Sequence, residues 1–340
     1  MQDEDEETAL ELEIPADHAG ERLDVVLARL APQFSRSRLQ QWIDAGRVLL
    51  DGEVPTRRAR VVGGEHIVLR PQFVADERVT AGEAAVPFEI VHRDPSLYVI
   101  SKPAGLVVHP GAGIREGTLQ NALLKLDPAL ARVPRAGIVH RLDKDTSGLM
   151  VVARTPAAQA VLVKALAARE VEREYLALCQ GHVTAGGTID EPIGRHRTQR
   201  TRMAVRPDGR EAVTHHRIER RFRAHTLLRV QLETGRTHQI RVHLAHVGHP
   251  IVGDPVYGGR RRLPPGASPA LLTALQGFQR QALHATRLEF VHPKSGRTLS
   301  FEVPPPADFL ALLDVLAADA APGATVAAHG RAGRSTVRRR

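Results

Sequence analysis

The sequence has few of the residues that build cysteine-based or membrane-embedded structures. Its one cysteine, Cys179, excludes an internal disulfide and any cysteine-rich zinc site. No apolar run approaches the roughly 18 residues that cross a membrane, and the acidic amino terminus lacks the apolar core of a secretion signal. These absences favour a cytoplasmic globular protein. Its 340 residues are enough for one large domain or two unequal ones.

Aromatic side chains and lysines are also scarce, whereas arginine is abundant. Aromatic residues make up 4% of the chain, and only five of its 47 basic residues are lysine. Residues 1–13 hold seven acidic side chains and no basic one, so the rest of the chain carries a net charge of +16. Arginine suits phosphate binding and base stacking. A GC-rich genome also favours arginine codons, so charge alone leaves nucleic-acid binding undecided.

The first 72 residues predict a tail followed by a small domain. Residues 1–18 are acidic and are expected to be disordered. Residues 19–72 are expected to fold into a small α+β module. Apolar spacing and turn residues predict helices from Glu21 to Pro32 and over Arg36–Ala45, strands at 48–50, near Val54 and at 66–69, and a turn at Asp51-Gly52.

Several segments of residues 19–72 resemble the alpha-L (S-four type) RNA-binding motif. They are Arg22-Leu23-Asp24, Ser35-Arg36-Ser37-Arg38, Gly46-Arg47-Val48 and Asp51-Gly52. The resemblance implies that arginines outside the inner helix face bind RNA, namely Arg36, Arg38 and Arg47. The alternative is an accessory domain with an ordinary solvated face.

The rest of the chain predicts a linker, a large domain and a second tail. Residues 73–86 form the expected linker, residues 87–316 the large domain, and residues 317–340 an Ala/Gly/Arg-rich tail that is expected to be disordered. The basic segment 192–217 indicates a loop or hairpin that faces nucleic acid. The large domain is expected to contain strands at 88–92, 97–100, 149–153, 173–178 and 226–232, and helices at 118–126, 155–168 and 238–247.

One polar stretch of the large domain, Gly137–Ala153, has a glycine on each side of a charged loop. Asp143 lies in that loop between Arg141 and Lys144, whose charges favour an ionised carboxylate. A salt-bridged turn is the ordinary interpretation of such a string. The sequence contains no GxSxG nucleophile elbow, phosphate loop or dinucleotide glycine pattern.

Four histidines of the large domain, at positions 238, 243, 246 and 249, allow a metal site to be considered. His243 and His246 are three apart on a predicted helix, a spacing that can bind a metal. No HExxH pattern accompanies them, and the same helix supplies apolar residues for packing. Ordinary packing is the favoured interpretation, and no metal is expected.

Three ordered segments resemble the motifs of the RluA class of RNA pseudouridine synthases. They are His140–Gly148, Arg173-Glu174-Tyr175 and Gly235–His243, supported by Ser101–Gly105, Asp190–His196, His249–Gly259 and Ala282–Ala285. The resemblance covers residues 20–310. It implies an α+β pseudouridine synthase fold, with a central mixed, largely antiparallel sheet flanked by helices, beside the small N-terminal RNA-binding domain. It also implies an isomerase that flips a uridine out of its stack and uses no cofactor.

The same resemblance implies roles for individual residues. Asp143 is the catalytic carboxylate, acting either as nucleophile at C1′ or as base at C2′ of the ribose, and Asp145 is structural. Tyr175 stacks on the flipped uracil, and Arg241 pairs with Asp143. Further residues are expected to bind RNA (Arg141, Lys102, Arg195 and Arg236) or to line the uracil pocket (Leu142 and Ile240).

The substrate is a weaker inference than the chemistry. Asp190–His196 and Asp254–Gly259 resemble class members that modify large-subunit rRNA. This implies 23S rRNA or a large-subunit precursor as partner, the helix 69 loop as target, and a monomeric enzyme without membrane association. The alternatives are other rRNA or tRNA uridines, a non-catalytic RNA-binding assembly factor, and a glycosidase-like enzyme that releases uracil.

Overall fold

A computed structural model describes most of the chain and divides it into two compact units. One unit is Met1–Glu77 with Ala131–Pro134, and the other is Arg78–Leu130 with Arg135–Arg340. Within the described residues, no helix is long and apolar enough to cross a membrane. The described residues are 9–31, 34, 36–56, 58–70, 81–110, 114, 116–199, 201–259, 263, 265–319 and 338–339.

The first unit combines two helices with a three-stranded antiparallel sheet of order β1-β3-β2. Apolar residues at three- and four-residue steps give each helix one apolar face, and these faces belong to the same core as the inner side of the sheet. The predicted helices and the predicted strands at 48–50 and 66–69 are confirmed. The elements are β1 (Leu10–Glu13), a 3-10 helix (Ala16–His18), α1 (Leu23–Leu30), α2 (Arg36–Asp44), β2 (Val48–Leu50) and β3 (His66–Leu69).

The expectation of a disordered tail over residues 1–18 is wrong for its second half. β1 pairs with β3, and Ile14 is completely buried. Leu10 and Leu12 pack against the core while the intervening glutamates point outward, which is the alternation of a half-buried strand. The prediction of disorder was based on the many acidic residues, and it overlooked the two-residue alternation of leucine and glutamate. Residues 1–8 lie outside the described residues.

The strand predicted near Val54 is also absent from this described part of the chain. Asp51 and Gly52 do form a tight turn, because both have positive φ and the backbones of Leu50 and Glu53 exchange hydrogen bonds. The pairing ends there, and Val54 is 60% exposed. The true partner of β2 is β3, which lies later in the chain.

The remaining elements follow in chain order. They are β4 (Glu89–Arg93), β5 (Leu97–Lys102), α3 (Leu119–Leu126), 3-10 helices Pro128–Arg132 and Pro134–Gly137, β6 (Ser147–Ala153), α4 (Pro156–Ala167), β7 (Glu172–Gln180), β8 (Gly187–Asp190), β9 (Ile193–Arg195), β10 (Met203–Val205), β11 (Val213–Arg221), β12 (His225–Leu232), α5 (Gln239–His246), α6 (Pro269–Gly277), β13 (Leu283–Val291), β14 (Thr298–Glu302), α7 (Ala307–Ala318) and β15 (Arg338–Arg339).

The second unit is built on a ten-stranded mixed sheet. Its main path is β4-β5-β6-β13-β7-β12-β11-β8, with β14 beside β13 and β15 beside β14. Of the pairings in the described residues, only β6 with β13 is parallel. Every residue of β6 is buried, as its apolar run predicts for a central strand. The mixed, largely antiparallel sheet flanked by helices is therefore confirmed.

The basic segment 192–217, the expected linker and the expected C-terminal tail each contain ordered structure. β9 and β10 pair as a short hairpin within the basic segment. Residues 81–86 of the expected linker belong to the second unit, where Ala85 N donates to Gly117 O at 3.1 Å. α7 extends into the expected C-terminal tail as far as Ala318, and β15 pairs with β14. Residues 71–80 and 320–337 lie outside the described residues.

Candidate active site

The loop that carries Asp143 is fixed to the sheet on both sides. Before Asp143, His140 Nε2 accepts a hydrogen bond of 3.0 Å from Val151 N in β6. After it, Lys102 Nζ donates to the carbonyl oxygen of Lys144 at 2.9 Å. Burial lowers the pKa of His140 to about 3, so its ring is neutral and can accept from the backbone. These contacts hold Asp143 in one place.

The two glycines that bracket this loop are required by close backbone approach. Gly137 has φ +77°, and a Cβ there would lie 1.8 Å from Ala153 O. Gly148 has φ +116°, and its Cβ would lie 2.1 Å from Ala285 O. Any side chain at either position would collide with the backbone of a neighbouring strand. The bracketing glycines therefore place the loop directly against the centre of the sheet.

Lys102 was wrongly predicted to bind RNA. Its side chain is completely buried, and Nζ donates to three loop carbonyls, including that of Lys144, at 2.8 to 2.9 Å. Burial lowers the pKa of Lys102 to about 7, opposed by the charges of Asp145 and Asp143. The three carbonyl acceptors favour the ammonium form, because a neutral amine has only two N–H groups. Lys102 lies at the end of a central strand and fixes the Asp143 loop.

Arg241 connects Asp143 to a second carboxylate beneath the cleft. Arg241 Nη1 donates to Asp143 Oδ2 at 2.9 Å, while Nε and Nη2 bind the two oxygens of Asp254 at 2.7 and 2.9 Å. Arg241 is almost fully buried, and Asp143 remains partly exposed. Burial would lower the pKa of Arg241, but Asp254 and Asp143 outweigh burial and raise it. The guanidinium is thus a permanent cation beside Asp143.

Asp254 is the residue of this chain of contacts to which the sequence assigned no role. Its side chain is completely buried, and Oδ1 also accepts from the backbone N–H groups of Val256 and Tyr257. Burial would raise the pKa of Asp254, but the hydrogen bond and charge of Arg241 hold it below its usual value. An acid within the matching segment Asp254–Gly259 was the available signal.

His238 lies on the other side of the Asp143 carboxylate. Its Nε2 is 3.9 Å from Asp143 Oδ1, and its Nδ1 is 2.8 Å from the hydroxyl oxygen of Tyr257. That hydroxyl also accepts from Met203 N, so its own proton is available to His238 Nδ1. In the tautomer that accepts this proton at Nδ1, the His238 proton is on Nε2, facing Asp143. Burial lowers the pKa of His238 against the charge of Asp143, so the ring is neutral near pH 7.

The turn before α5 is organised by Gln239. Gln239 Oε1 accepts from Thr234 Oγ1 and Arg236 N at 2.8 and 2.9 Å, and its Nε2 donates to Val213 O at 2.9 Å. His238 precedes the helix with a left-handed φ of 57°, an uncommon conformation for a non-glycine residue. The turn aims His238 and the first turn of α5 at the Asp143 loop.

The predicted catalytic and pocket residues line one cleft of about 730 Å³. Burial raises the pKa of Tyr175, so its phenol is protonated at neutral pH. Arg141 is exposed at the cleft, whereas Leu142 and Ile240 are each 4% exposed. The structure therefore brings together the seven predicted residues Asp143, Tyr175, Arg241, Arg141, Arg236, Leu142 and Ile240.

Known proteins resemble this chain along most of its length. The RNA pseudouridylate synthase model matches residues 96–246, and the S4 domain model matches residues 21–68. A protein named ribosomal large subunit pseudouridine synthase D from Xanthomonas campestris is 55% identical over 314 residues, covering 92% of this chain and 94% of the relative. The protein of the same name from Escherichia coli is 54% identical over 301 residues, which cover 88% of this chain and 92% of that relative.

The chain belongs to the RNA pseudouridylate synthase family. This membership confirms the resemblance to RNA pseudouridine synthases, and the enzyme is an isomerase. Two solved human structures share the fold. RNA pseudouridylate synthase domain containing 4 is 28% identical with a TM-score of 0.53, covering 67% of this chain and 93% of its own. Human RNA pseudouridylate synthase domain containing 1 is 26% identical with a TM-score of 0.51, and the match covers 65% of this chain and 84% of that one.

The arginines expected to bind RNA occupy different environments in this pseudouridine synthase. Arg36 is half-exposed but donates to Asp24 Oδ2 at 2.7 and 2.9 Å, so its charge is partly committed within the small domain. Arg47 is partly buried, and Arg195 is exposed on the β9–β10 hairpin. Arg236 Nε donates to Glu211 O at 2.9 Å. The Arg38 side chain lies outside the described part of the synthase.

The histidine pair of α5 has another explanation in this synthase. His243 is completely buried, with Nδ1 2.8 Å from Thr214 Oγ1 and Nε2 2.9 Å from Glu191 O. Both of its ring nitrogens are therefore engaged, whereas His246 is exposed. Among the described residues, no group of three or more His, Cys, Asp or Glu side chains could hold a metal ion.

Proposed function

We propose that this RNA pseudouridine synthase isomerises uridines in the helix 69 loop of 23S rRNA, on the rRNA or a large-subunit precursor. The proposal places the enzyme in the cytoplasm as a monomer. Support comes from the relatives named ribosomal large subunit pseudouridine synthase D, which are 54–55% identical over most of the chain. The S4 domain match and the exposed arginines are compatible with RNA binding.

The observation that carries the catalytic part of the proposal is the ordered pair Asp143 and Arg241. Arg241 binds Oδ2 of Asp143, so Oδ1 remains available to the cleft with His238 Nε2 3.9 Å away. The target uridine flips into the cleft, because its sugar cannot be reached within a stack. Asp143 then acts on the ribose, either by attack at C1′ or by removal of the C2′ proton.

Residues around Asp143 bind the flipped nucleotide and fill the gap that its base leaves in the RNA. Tyr175 stacks on the uracil, and a protonated phenol can also donate a hydrogen bond there. Leu142 and Ile240 close the apolar sides of the pocket. Arg141 is exposed beside the cleft and occupies the gap that the flipped base leaves in the RNA.

The carboxylates near the cleft favour isomerisation over base removal. A glycosidase needs a second carboxyl group that donates a proton or activates water. Asp254 cannot serve, because it is buried, bound through both oxygens to Arg241, and its pKa is lowered. Glu233, which lines the cleft, is already paired with Arg169 and His215. One catalytic carboxylate suffices when the detached uracil stays bound and rejoins the ribose through carbon.

The test uses RNA labelled with tritium at uracil C5. Formation of the carbon–carbon glycosidic bond expels the hydrogen at C5, so tritium release to water reports the isomerisation. We expect release by wild type from 23S rRNA carrying helix 69, and none by Asp143→Ala. Release from tRNA but not from this rRNA would overturn the substrate proposal. Release of free labelled uracil would indicate base removal.

A further inference from the structure

Arg173 is a buried cation for which the described residues supply no partner. It lies on β7 two residues before Tyr175, so both side chains point to the same face of the sheet. Arg173 is 8% exposed, and its Nε is buried without a hydrogen-bond partner. Within the described part of the chain, its guanidinium makes no hydrogen bond and no ion pair. Nothing in the Asp143–Arg241–Asp254 arrangement uses this charge.

The neighbours of Arg173 show where its guanidinium points. A Cβ placed on Gly235 would lie 2.9 Å from Arg173 Nη1, so the guanidinium lies against the glycine. Arg173, Gly235, Tyr175 and Asp143 all line the same cleft. The adjacent acid Glu174 lies on the other side of β7 and is paired with Arg229 at 2.6 Å. Glu172, the acid that precedes Arg173, alternates to that same opposite side of β7 and is exposed.

An unpaired buried charge is costly for a folded protein. Loss of water around an ionised group is not offset unless hydrogen bonds or an opposite charge replace it. Proteins retain such costly arrangements mainly where function needs them. A guanidinium has five donors in a fixed plane, and those of Arg173 are left for an acceptor that enters the cleft.

We propose that Arg173 binds a carbonyl oxygen of the flipped uracil and stabilises the negative charge that the base carries while it is detached. The proposal rests on the pseudouridine synthase activity described above. When the C1′–N1 bond breaks, its electron pair stays on N1, so the uracil becomes an anion whose charge spreads to O2 and O4. This holds whether Asp143 attacks C1′ or removes the C2′ proton. C5 then bonds to C1′ and neutralises the base, as the ester bond between Asp143 and C1′ breaks or, in the other route, as C2′ regains its proton from Asp143. C5 finally loses its proton and N1 gains one, which completes the isomerisation.

The location of Arg173 favours the base over an RNA phosphate. A phosphate stays with the backbone and its water at the exposed side of the cleft, where Arg141 is available. The flipped base is the part of the nucleotide that enters the cleft beside the buried side chains of Tyr175 and Ile240. A buried donor fixed in place also stabilises developing charge better than a solvated one, because its surroundings need not reorganise.

The test compares Arg173→Met with wild type in single-turnover tritium release, at enzyme concentrations that saturate the RNA. Wild-type release alone reports the proposed function, and the ratio of the two rate constants reports Arg173. We expect the rate constant to fall about 100-fold or more, as on removal of one oxyanion-hole donor. The Kd for RNA and its salt dependence should stay within about two-fold, and the Tm should be unchanged or higher, because an unpaired buried charge is removed.

Two further variants separate this role from the alternatives. Gly235→Ala keeps the charge but displaces the guanidinium tip, so it should lower the rate constant without changing the net charge. Arg169→Met removes a charge at the same cleft, but Arg169 already forms ion pairs with Glu211 and Glu233. This variant should leave the rate constant within about two-fold. A lower Tm together with the lower rate would make Arg173 structural. A weaker Kd and shallower salt dependence at an unchanged rate would make it a phosphate contact. Either result overturns the proposal.

Discussion

Asp254 holds Arg241 with both carboxylate oxygens, at 2.7 and 2.9 Å, and the two side chains are buried together. The bidentate contact fixes the plane of the guanidinium. The remaining nitrogen, Nη1, then meets Asp143 Oδ2 at 2.9 Å. Asp254 therefore orients the Asp143 carboxylate through Arg241 and does not line the cleft itself.

Asp254→Asn should lower both activity and stability. Asparagine offers one acceptor where the carboxylate offers two, and its amide N–H groups face the guanidinium. Breaking a buried ion pair from one side costs about 3–5 kcal/mol of unfolding free energy. We expect single-turnover tritium release to fall by about 100-fold, because Arg241 no longer orients Asp143. Urea unfolding and tritium release measure the two effects.

The matched control is Glu83→Gln, which alters an ion pair with Lys125 in which both side chains are exposed. Exposed pairs contribute little to stability. The Tm and the rate constant of this variant should therefore equal those of wild type. If Asp254→Asn behaved like Glu83→Gln, the orienting role of Asp254 would be wrong.

Tyr175 should contribute more through its ring than through its hydroxyl when uracil binds. Base–aromatic stacking contributes about 1–3 kcal/mol per base. Tyr175→Leu should therefore lower kcat/KM for tritium release by about 5- to 150-fold relative to Tyr175→Phe. The Phe variant isolates the loss of the protonated phenol, which burial keeps neutral. Equal kcat/KM values for Leu and Phe would contradict stacking by this residue.

Lys102→Met should destabilise the protein without changing its affinity for RNA. The variant removes a donor from three loop carbonyl oxygens, of which Lys144 O keeps the hydrogen bond from Gly105 N, at about 1–3 kcal/mol for each oxygen left buried and unsatisfied. Thermal unfolding should show a clearly lower Tm, and filter binding should show an unchanged salt dependence. Lys164→Met, at an exposed position of α4, is the control and should keep its Tm. A shallower salt dependence for Lys102→Met would restore Lys102 as an RNA contact.

The sequence predicted five strands and three helices of the second unit because their signals are local, but it did not predict others, including β11, β13, β14, α6 and α7. The threonine caps at Thr118 and Thr155 and the apolar run of β6 each depend on a few neighbouring residues. The cluster of Asp143, Tyr175 and Arg241 followed from resemblance, since 98 residues separate the two partners of its ion pair. No local pattern can pair positions so far apart.

The wrong or missing predictions also have physical causes. Lys102 resembles any surface lysine in sequence, and only the packing of three loop carbonyls around Nζ shows that it is internal. Asp254 was included in a matching segment, but its role depends on the contact with Arg241, which lies on α5. β1 was hidden because its glutamates suggested a charged tail. Tertiary contacts decided each case.

Arg47 and Arg36 should respond differently to substitution, although both were predicted to bind RNA. Removing one arginine that binds an RNA phosphate should lower the slope of log affinity against log salt by about 0.7–0.9. Arg47→Gln should do so without a change in Tm. Arg36→Gln should instead lower the Tm, because it removes a donor from Asp24, which is completely buried. Burial would raise the pKa of Asp24, and hydrogen bonds from Gln40 and Arg36 lower it.

The contrast is checked by filter binding over a salt series and by thermal unfolding of both variants. An Arg36→Gln variant with an unchanged Tm and a shallower slope would mean that Arg36 contacts RNA and is not needed to hold Asp24. An Arg47→Gln variant with an unchanged slope would remove Arg47 from the RNA surface.

His284 should make the protein less stable as the pH falls below about 6.5, its unfolded pKa. Its Nδ1 lies 2.9 Å from Ser147 Oγ and its Nε2 lies 3.2 Å from Val303 O, and burial lowers its pKa to about 4. The folded state holds the ring neutral, whereas the unfolded chain binds a proton between these two pKa values. Stability is therefore complete above the unfolded pKa and falls as the pH drops towards 4. Between about pH 7.5 and pH 5 the loss from this residue should be about 2 kcal/mol.

His284→Gln removes the titrating ring and retains an amide that can bond to the same region. The loss of unfolding free energy between these two pH values, measured by urea unfolding, should be about 2 kcal/mol smaller in the variant than in wild type. His246→Gln, at an exposed position, should show the same loss as wild type. His140 and His225 are also held neutral by burial, so the wild-type loss should exceed the share of His284. An identical loss in His284→Gln and wild type would mean that His284 already titrates normally in the folded protein, and that its buried bonds to Ser147 and Val303 do not favour the neutral ring.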